Sequence, residues 1–223
     1  MTNPINANWR TEWPPIAMIT ASLLSGLYFY SRFPERVPSH WGVSGQVDGW
    51  SSPFTAAFLM PVMIAAIYLL LLFVPGLDPK RDRYQEFGRV YHIFKNTIIG
   101  FMVALYFLVG LNGIGYDLPI GALVPAMVGV MFILIGNYMS KLRLNWFIGA
   151  RTPWTLSSEN VWNKTNRLSG KLFVLGGLLM LAETVLPISW RMPVLIFIVL
   201  LVALIPFIYS YFAYSKEERE KNK

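Results

Sequence analysis

Residues 145–167, NWFIGARTPWTLSSENVWNKTNR, decide how the rest of the chain is read. The stretch is too polar to span a bilayer, yet strongly apolar segments flank it. It holds Trp146, Trp154 and Trp162, the cations Arg151, Lys164 and Arg167, and four asparagines. Tryptophan and arginine together favour a membrane–water interface, because the indole lies among acyl chains while the guanidinium reaches phosphate. Pro153 disfavours helical geometry at Thr152, so Thr152 to Thr155 reads as an extended turn. Ser157 or Ser158 is placed to cap a following helix with Glu159 in its first turn. Val161, Trp162, Thr165 and Leu168 share one helical face, and Lys164, Arg167 and Lys171 another. The simplest geometry is an interfacial helix running into a span.

Around this stretch the 223-residue chain is 55% hydrophobic and 14% charged, with no cysteine. That charge is far below the roughly 25% of soluble domains. Six apolar segments of spanning character follow at about 15–30, 54–74, 97–111, 120–139, 168–186 and 193–214. The first reads as a retained span rather than a signal peptide. Residues 1–13 read as a frayed tail, with Pro14 and Pro15 suited to a helix start. Pro61 is placed to kink the second span. The fold class is therefore an all-α integral membrane protein of six transmembrane helices with interfacial amphipathic helices. It forms a single membrane domain in two parts: 1–75, two spans joined by a loop at 31–53, and 76–223, four spans with loops at 76–95 and 140–171. In the first of these loops Tyr84, Phe87, Val90 or Tyr91, and Phe94 recur at helical spacing, as an interfacial helix requires.

Lysine and arginine set the orientation. Only Arg32, Arg36 and Arg191 fall on one side of the six spans, and the other sixteen of the 19 fall on the opposite side. Both termini, 76–95 and 140–171 are thus cytoplasmic, and 31–53 is outside. The net charge of +7 is assigned to the lipid bilayer and to topology rather than to nucleic acid. No internal repeat supports an inverted-repeat transporter.

The densest polar constellation is Asn137, Asn145, Arg151, Thr152, Pro153, Trp154, Thr155, Trp162, Lys164, Asn166 and Arg167. Such residues suit recognition of phosphate, carboxylate or carbonyl groups, or they anchor the flanking spans. In the outer loop His40 and Asp48 are a two-ligand metal or proton candidate, or a locally hydrogen-bonded pair. Glu183, near the outer end of the fifth span, is a candidate for function or a group reaching water. His92 reads as a headgroup-level residue. Nucleotide loops, zinc-protease and serine-hydrolase motifs are absent, so no catalytic residue, metal or cofactor is assigned and an enzyme is not expected.

The pattern NxxxGxRTPWTL followed by VWxKTNR resembles the signature of the SdpI family. FPxxVPxHWxxxGxxDGW at 33–50, with Pro38, His40, Trp41, Gly45, Asp48 and Gly49, resembles the outer loop of an uncharacterised domain that heads many such proteins. The resemblance implies a multi-pass protein of the bacterial cell membrane that gives immunity to a secreted, membrane-active toxic peptide. It also implies a relay: toxin engagement outside, and a cytoplasmic autorepressor held at the membrane inside. A transporter of small molecules, lipids or ions, and a membrane enzyme acting on lipid headgroups, are the competing readings.

Overall fold

The computed structural model describes residues 4–42 and 44–222. Helix dominates. In chain order the elements are α1 (Trp9–Tyr30), β1 (Val37–Trp41), β2 (Val47–Ser51), α2 (Pro53–Leu77), a 3-10 turn (Arg81–Arg83), α3 (Tyr84–Gly113), α4 (Ile120–Met139), α5 (Pro153–Ser157), α6 (Glu159–Glu183), α7 (Ile188–Val199), a π-helical turn (Leu200–Leu204) and α8 (Ile205–Lys221). α7, the π turn and α8 form one continuous rod. The rod carries Pro206, whose ring nitrogen cannot bond the preceding turn, and the π turn lies immediately before it.

Four helices are long and apolar enough to cross a membrane: Pro53–Leu77, Arg81–Gly113, Ile120–Met139 and Ile188–Lys221. α1 and α6, of 22 and 25 residues, have the length as well, at 1.5 Å per residue, but each opens with polar turns. Leu70, Phe73, Phe197 and Phe212 are exposed on α2, α7 and α8. Water does not tolerate apolar faces of this extent, and lipid does.

The bundle has two unlike ends. At one, β1 and β2 make an antiparallel hairpin between α1 and α2. The sequence suggested only a turn-rich loop there. Pro38, Gly42, Gly45 and Gly49 hide the strands, and bulges break the register on both sides of His40. At the other end lie the start of α1, the junction between α2 and α3, and residues 140–158; this is the motif end.

α4 and α6 pack antiparallel along a glycine seam. A Cβ on Gly129 would sit 2.7 Å from the Gly177 carbonyl oxygen, and one on Gly136 2.7 Å from that of Gly170. The reverse approaches, 2.5 Å from Gly177 and 2.6 Å from Gly170, are as tight. Both helices space these glycines seven residues apart, so two turns of each meet backbone to backbone. A second core joins α1, α2 and α3 through Phe29, Ile64, Ile99 and Tyr106.

Two expectations are corrected. Residues 1–3 of the expected frayed tail lie outside the described residues, and residues 8–13 are not frayed: Asn8 caps α1 through a hydrogen bond from Arg10 N at 2.9 Å, and its own N–H donates to Thr11 Oγ1. Pro14 and Pro15 consequently lie inside the helix. Tyr84, Phe87, Tyr91 and Phe94 do share a face, but it is buried against Met139, Leu142 and Trp162 rather than laid on lipid. The C-terminal charged segment is helical to Lys221 and packs back through Glu217.

Candidate functional site

At the motif end, the uncharged members of the 145–167 constellation form a hydrogen-bonded scaffold. Asn145 is completely buried. Its Oδ1 accepts from the N–H groups of Phe147 and Ile148 at 2.9 and 2.8 Å, and its Nδ2 donates to the Arg143 and Ile148 carbonyls. One side chain thereby closes the turn that the polar sequence could not close as a helix. Asp78 braces the same turn from the end of α2. It accepts from Trp146 N and from the Tyr84 hydroxyl, both at 2.9 Å. Asn166 Oδ1 accepts from Ala150 N at 2.9 Å, and Trp162 Nε1 donates to the Leu142 carbonyl at 2.9 Å.

Thr152 is extended, and the helix begins at Pro153 rather than later. Thr152 and Thr155 form a reciprocal capping box for α5. Thr152 Oγ1 also donates to Ser210 on α8 at 2.9 Å. Ser158 caps α6, and its hydroxyl donates to Glu217. Trp154 packs edge-on against Phe207 and Tyr211, each with centroids 5.2 Å away.

The charged members stay outside. Arg151 is exposed, although its Nη1 donates to the Trp146 carbonyl at 2.7 Å. Lys164 and Arg167 are exposed on α6, as the helical spacing required. Asn137 and Arg167 line an open groove of about 400 Å³ with Ser140 and Lys171, at the end of the glycine seam. Arg83 makes a two-pronged ion pair with Glu159 at 2.8 and 2.9 Å, joining the start of α3 to the start of α6. That guanidinium holds the Glu159 carboxyl below its ordinary range. The constellation thus divides into an inner set that shapes the backbone and a cationic set that faces outward.

A buried cluster near this end was missed by sequence reasoning. Lys95 of α3, 1% exposed, donates to Glu12 Oε2 of α1 at 2.5 Å. The Tyr68 hydroxyl of α2 donates to the same oxygen at 2.9 Å. His92 is buried, not at headgroup level: its Nε2 donates to the Ile5 carbonyl at 2.8 Å, and its Nδ1 lies 3.5 Å from Glu12 Oε1. The available signal was His92 and Lys95 at i and i+3 beside an aromatic face. Assigning Glu12 to a frayed tail concealed their partner.

At the hairpin end, His40 Nδ1 and Asp48 Oδ1 are 2.5 Å apart across the strands, and both side chains are exposed. His40 pairs with Gly49, where a Cβ would lie 2.8 Å from the His40 Cβ. Gly45 takes φ +79° and touches Gly121 at the start of α4. Among the described residues no group of three or more His, Cys, Asp or Glu is placed to hold a metal ion. His40 and Trp41 border a cavity of about 370 Å³, into which Glu183 and Arg191 also face. Glu183 is 4% exposed, so it does not reach water.

Comparison with known proteins follows the same division. Residues 141–210 match the SdpI/YfhL protein family, and residues 17–65 match a domain of unknown function (DUF1648). The first covers the polar scaffold, α6 and most of the last rod; the second covers most of α1, the hairpin and half of α2. The chain is 27% identical over 201 residues to the "Immunity protein SdpI" of Bacillus subtilis (strain 168), which spans 90% of this chain and 94% of that protein. No solved structure matches. With its lipid-suited helices and these matches, the chain is a multi-pass protein of the bacterial cell membrane, similar over residues 141–210 to the SdpI/YfhL protein family.

Proposed function

We propose that this protein confers immunity to a secreted, membrane-active toxic peptide, without catalysis. It does so as a six-span protein with both termini in the cytoplasm, the hairpin end outside and the motif end inside. The observation that carries the reading is the span of the similarity to an immunity protein: nearly the full length of both chains, not one shared module. The lysine and arginine distribution supports the orientation. The division of the motif end supports a relay. A rigid, internally bonded scaffold presents Arg151, Lys164 and Arg167 as a fixed cationic face, on which an acidic surface of a cytoplasmic autorepressor would dock.

The test is expression in a strain that a secreted membrane-active peptide kills. Survival raised by the wild-type chain, at equal insertion, is the expected result. Survival unchanged by a correctly inserted chain would refute the reading. The triple variant Arg151→Ala, Lys164→Ala, Arg167→Ala separates the two roles: protection is retained while any repressor recruitment, followed by membrane co-sedimentation, is lost.

The cavity holding Glu183 and Arg191 favours one second reading, a transporter. It requires solute flux in proteoliposomes of the purified protein, and absence of flux for any charged or amphiphilic solute offered removes it.

A further inference from the structure

Two charged groups, Glu183 and Arg191, line a largely apolar cavity at the hairpin end. Met60, Leu105, Val109, Val124 and Leu195 supply much of its wall, from α2, α3, α4 and α7, and Ser39, His40 and Trp41 of β1 with Gly42 border it. Glu183 enters from the last turn of α6. Its Oε2 is shielded and has no hydrogen-bond partner. Arg191 enters from α7. Its Nη1 donates to the Gly121 carbonyl at 3.2 Å, while its Nε is shielded and has no partner. Both side chains line this one cavity, each with a shielded polar atom that lacks a partner, and such groups are costly. A ligand that brings matching hydrogen-bonding groups to this carboxylate and guanidinium offsets that cost on binding.

We infer that this cavity is a binding site for the amino-terminal residue of an apolar peptide. The ammonium group donates to the Glu183 carboxylate, the first peptide carbonyl accepts from the Arg191 guanidinium, and an apolar side chain fills the wall. The hairpin distinguishes a peptide from a lipid of similar charge. Among the described residues β1 pairs with β2 alone, so its other edge is unpaired by any strand there, and its residues 39–41 border the cavity. A peptide continuing past its first residue can therefore run along β1 as an added strand. For the source of that peptide the inference rests on the immunity reading; for its chemistry it rests on the cavity alone.

The experiment uses the full chain in phospholipid-free detergent micelles, with native mass spectrometry as readout. The probes are the synthetic peptide amide Phe-Leu-Val-Leu with a free amino terminus, its acetylated form, and phosphatidylethanolamine. The free peptide is expected to bind saturably, and acetylation to weaken it about tenfold or more. Glu183→Gln, nearly isosteric, is expected to abolish the difference between the two peptides while leaving the helical circular dichroism unchanged. Equal binding of the two peptides, no saturable binding of either, or binding of phosphatidylethanolamine alone would overturn the inference. In the sensitive strain, wild-type protection that persists undiminished in Glu183→Gln removes the cavity's role and leaves the immunity reading standing. A wild type that does not protect removes the immunity reading, and the peptide measurement alone then decides the cavity.

Discussion

Glu12 and Lys95 show how one residue pair can fix three helices. Their ion pair, with the Tyr68 hydroxyl on the same carboxylate, is almost wholly removed from solvent. Breaking one half leaves the other charge buried and uncompensated, a loss of about 3–5 kcal/mol. Glu12→Gln should therefore lower the thermal midpoint of the purified protein sharply. The double variant Glu12→Leu, Lys95→Met should recover most of the loss, because apolar side chains need no counter-charge. A double variant no more stable than Glu12→Gln would show that the pair is not coupled. The contrast at the motif end is Arg151. Its guanidinium bonds one carbonyl from the surface, so Arg151→Ala should change stability by only about 0.5 kcal/mol, whereas Asn145→Ala, which orphans two N–H groups, should cost about 1–3 kcal/mol. Thermal unfolding of the two variants side by side checks both. Much of this scale was legible: the exposed face of Lys164, Arg167 and Lys171 follows from spacing alone. The roles of Asp78 and Glu12 were not, because Trp146 lies 68 positions from Asp78 and Lys95 lies 83 from Glu12, and no local pattern encodes such a contact.

Among the elements, α4 and α6 depend on each other most closely. Four glycines let two backbones meet, and a methyl on any of them would lie within 2.7 Å of a carbonyl oxygen of the facing helix. Gly136→Val or Gly177→Val should force the helices apart and reduce the folded yield severalfold, measured by size-exclusion chromatography. Leu178→Val, on the exposed face one residue away, should not. The pairing of these glycines, 129 with 177 and 136 with 170, needs the antiparallel register that only the fold supplies. The helix starts behave alike. Ser158 and Glu159 were readable as a cap, yet the cap's outer partner, Glu217, comes from the far end of the chain. The Arg83–Glu159 clamp adds a pH dependence of definite sign. The folded carboxyl sits below its ordinary 4.5, so the clamp contributes fully above that value and is lost as pH falls through the lower folded one. Arg83→Gln should flatten the fall in thermal midpoint below pH 4.5 relative to wild type, a small effect because both groups are largely exposed. An unchanged pH profile would contradict the assignment.

Over the whole molecule, the two ends carry different chemistry on one helical frame. The hairpin end offers a small cavity lined by a carboxylate and a guanidinium, each with one unsatisfied atom; the motif end offers fixed cations over a buried polar scaffold. The helical frame was legible because apolar length is a local property of each segment. The hairpin and its cavity were not, since strands broken by Pro38, Gly45 and Gly49 leave no alternating pattern, and a cavity is made by segments 40 to 190. The proposed immunity function requires the hairpin end to face a toxin outside and the motif end to face the cell interior. The chain has no cysteine, so single cysteines report without background. The most direct test labels Asp48→Cys and Arg151→Cys in intact cells with a membrane-impermeant maleimide, before and after permeabilisation. The account predicts that position 48 reacts in intact cells and position 151 reacts only once the membrane is opened. Reaction of position 151 from outside, or protection of position 48 until permeabilisation, would contradict it.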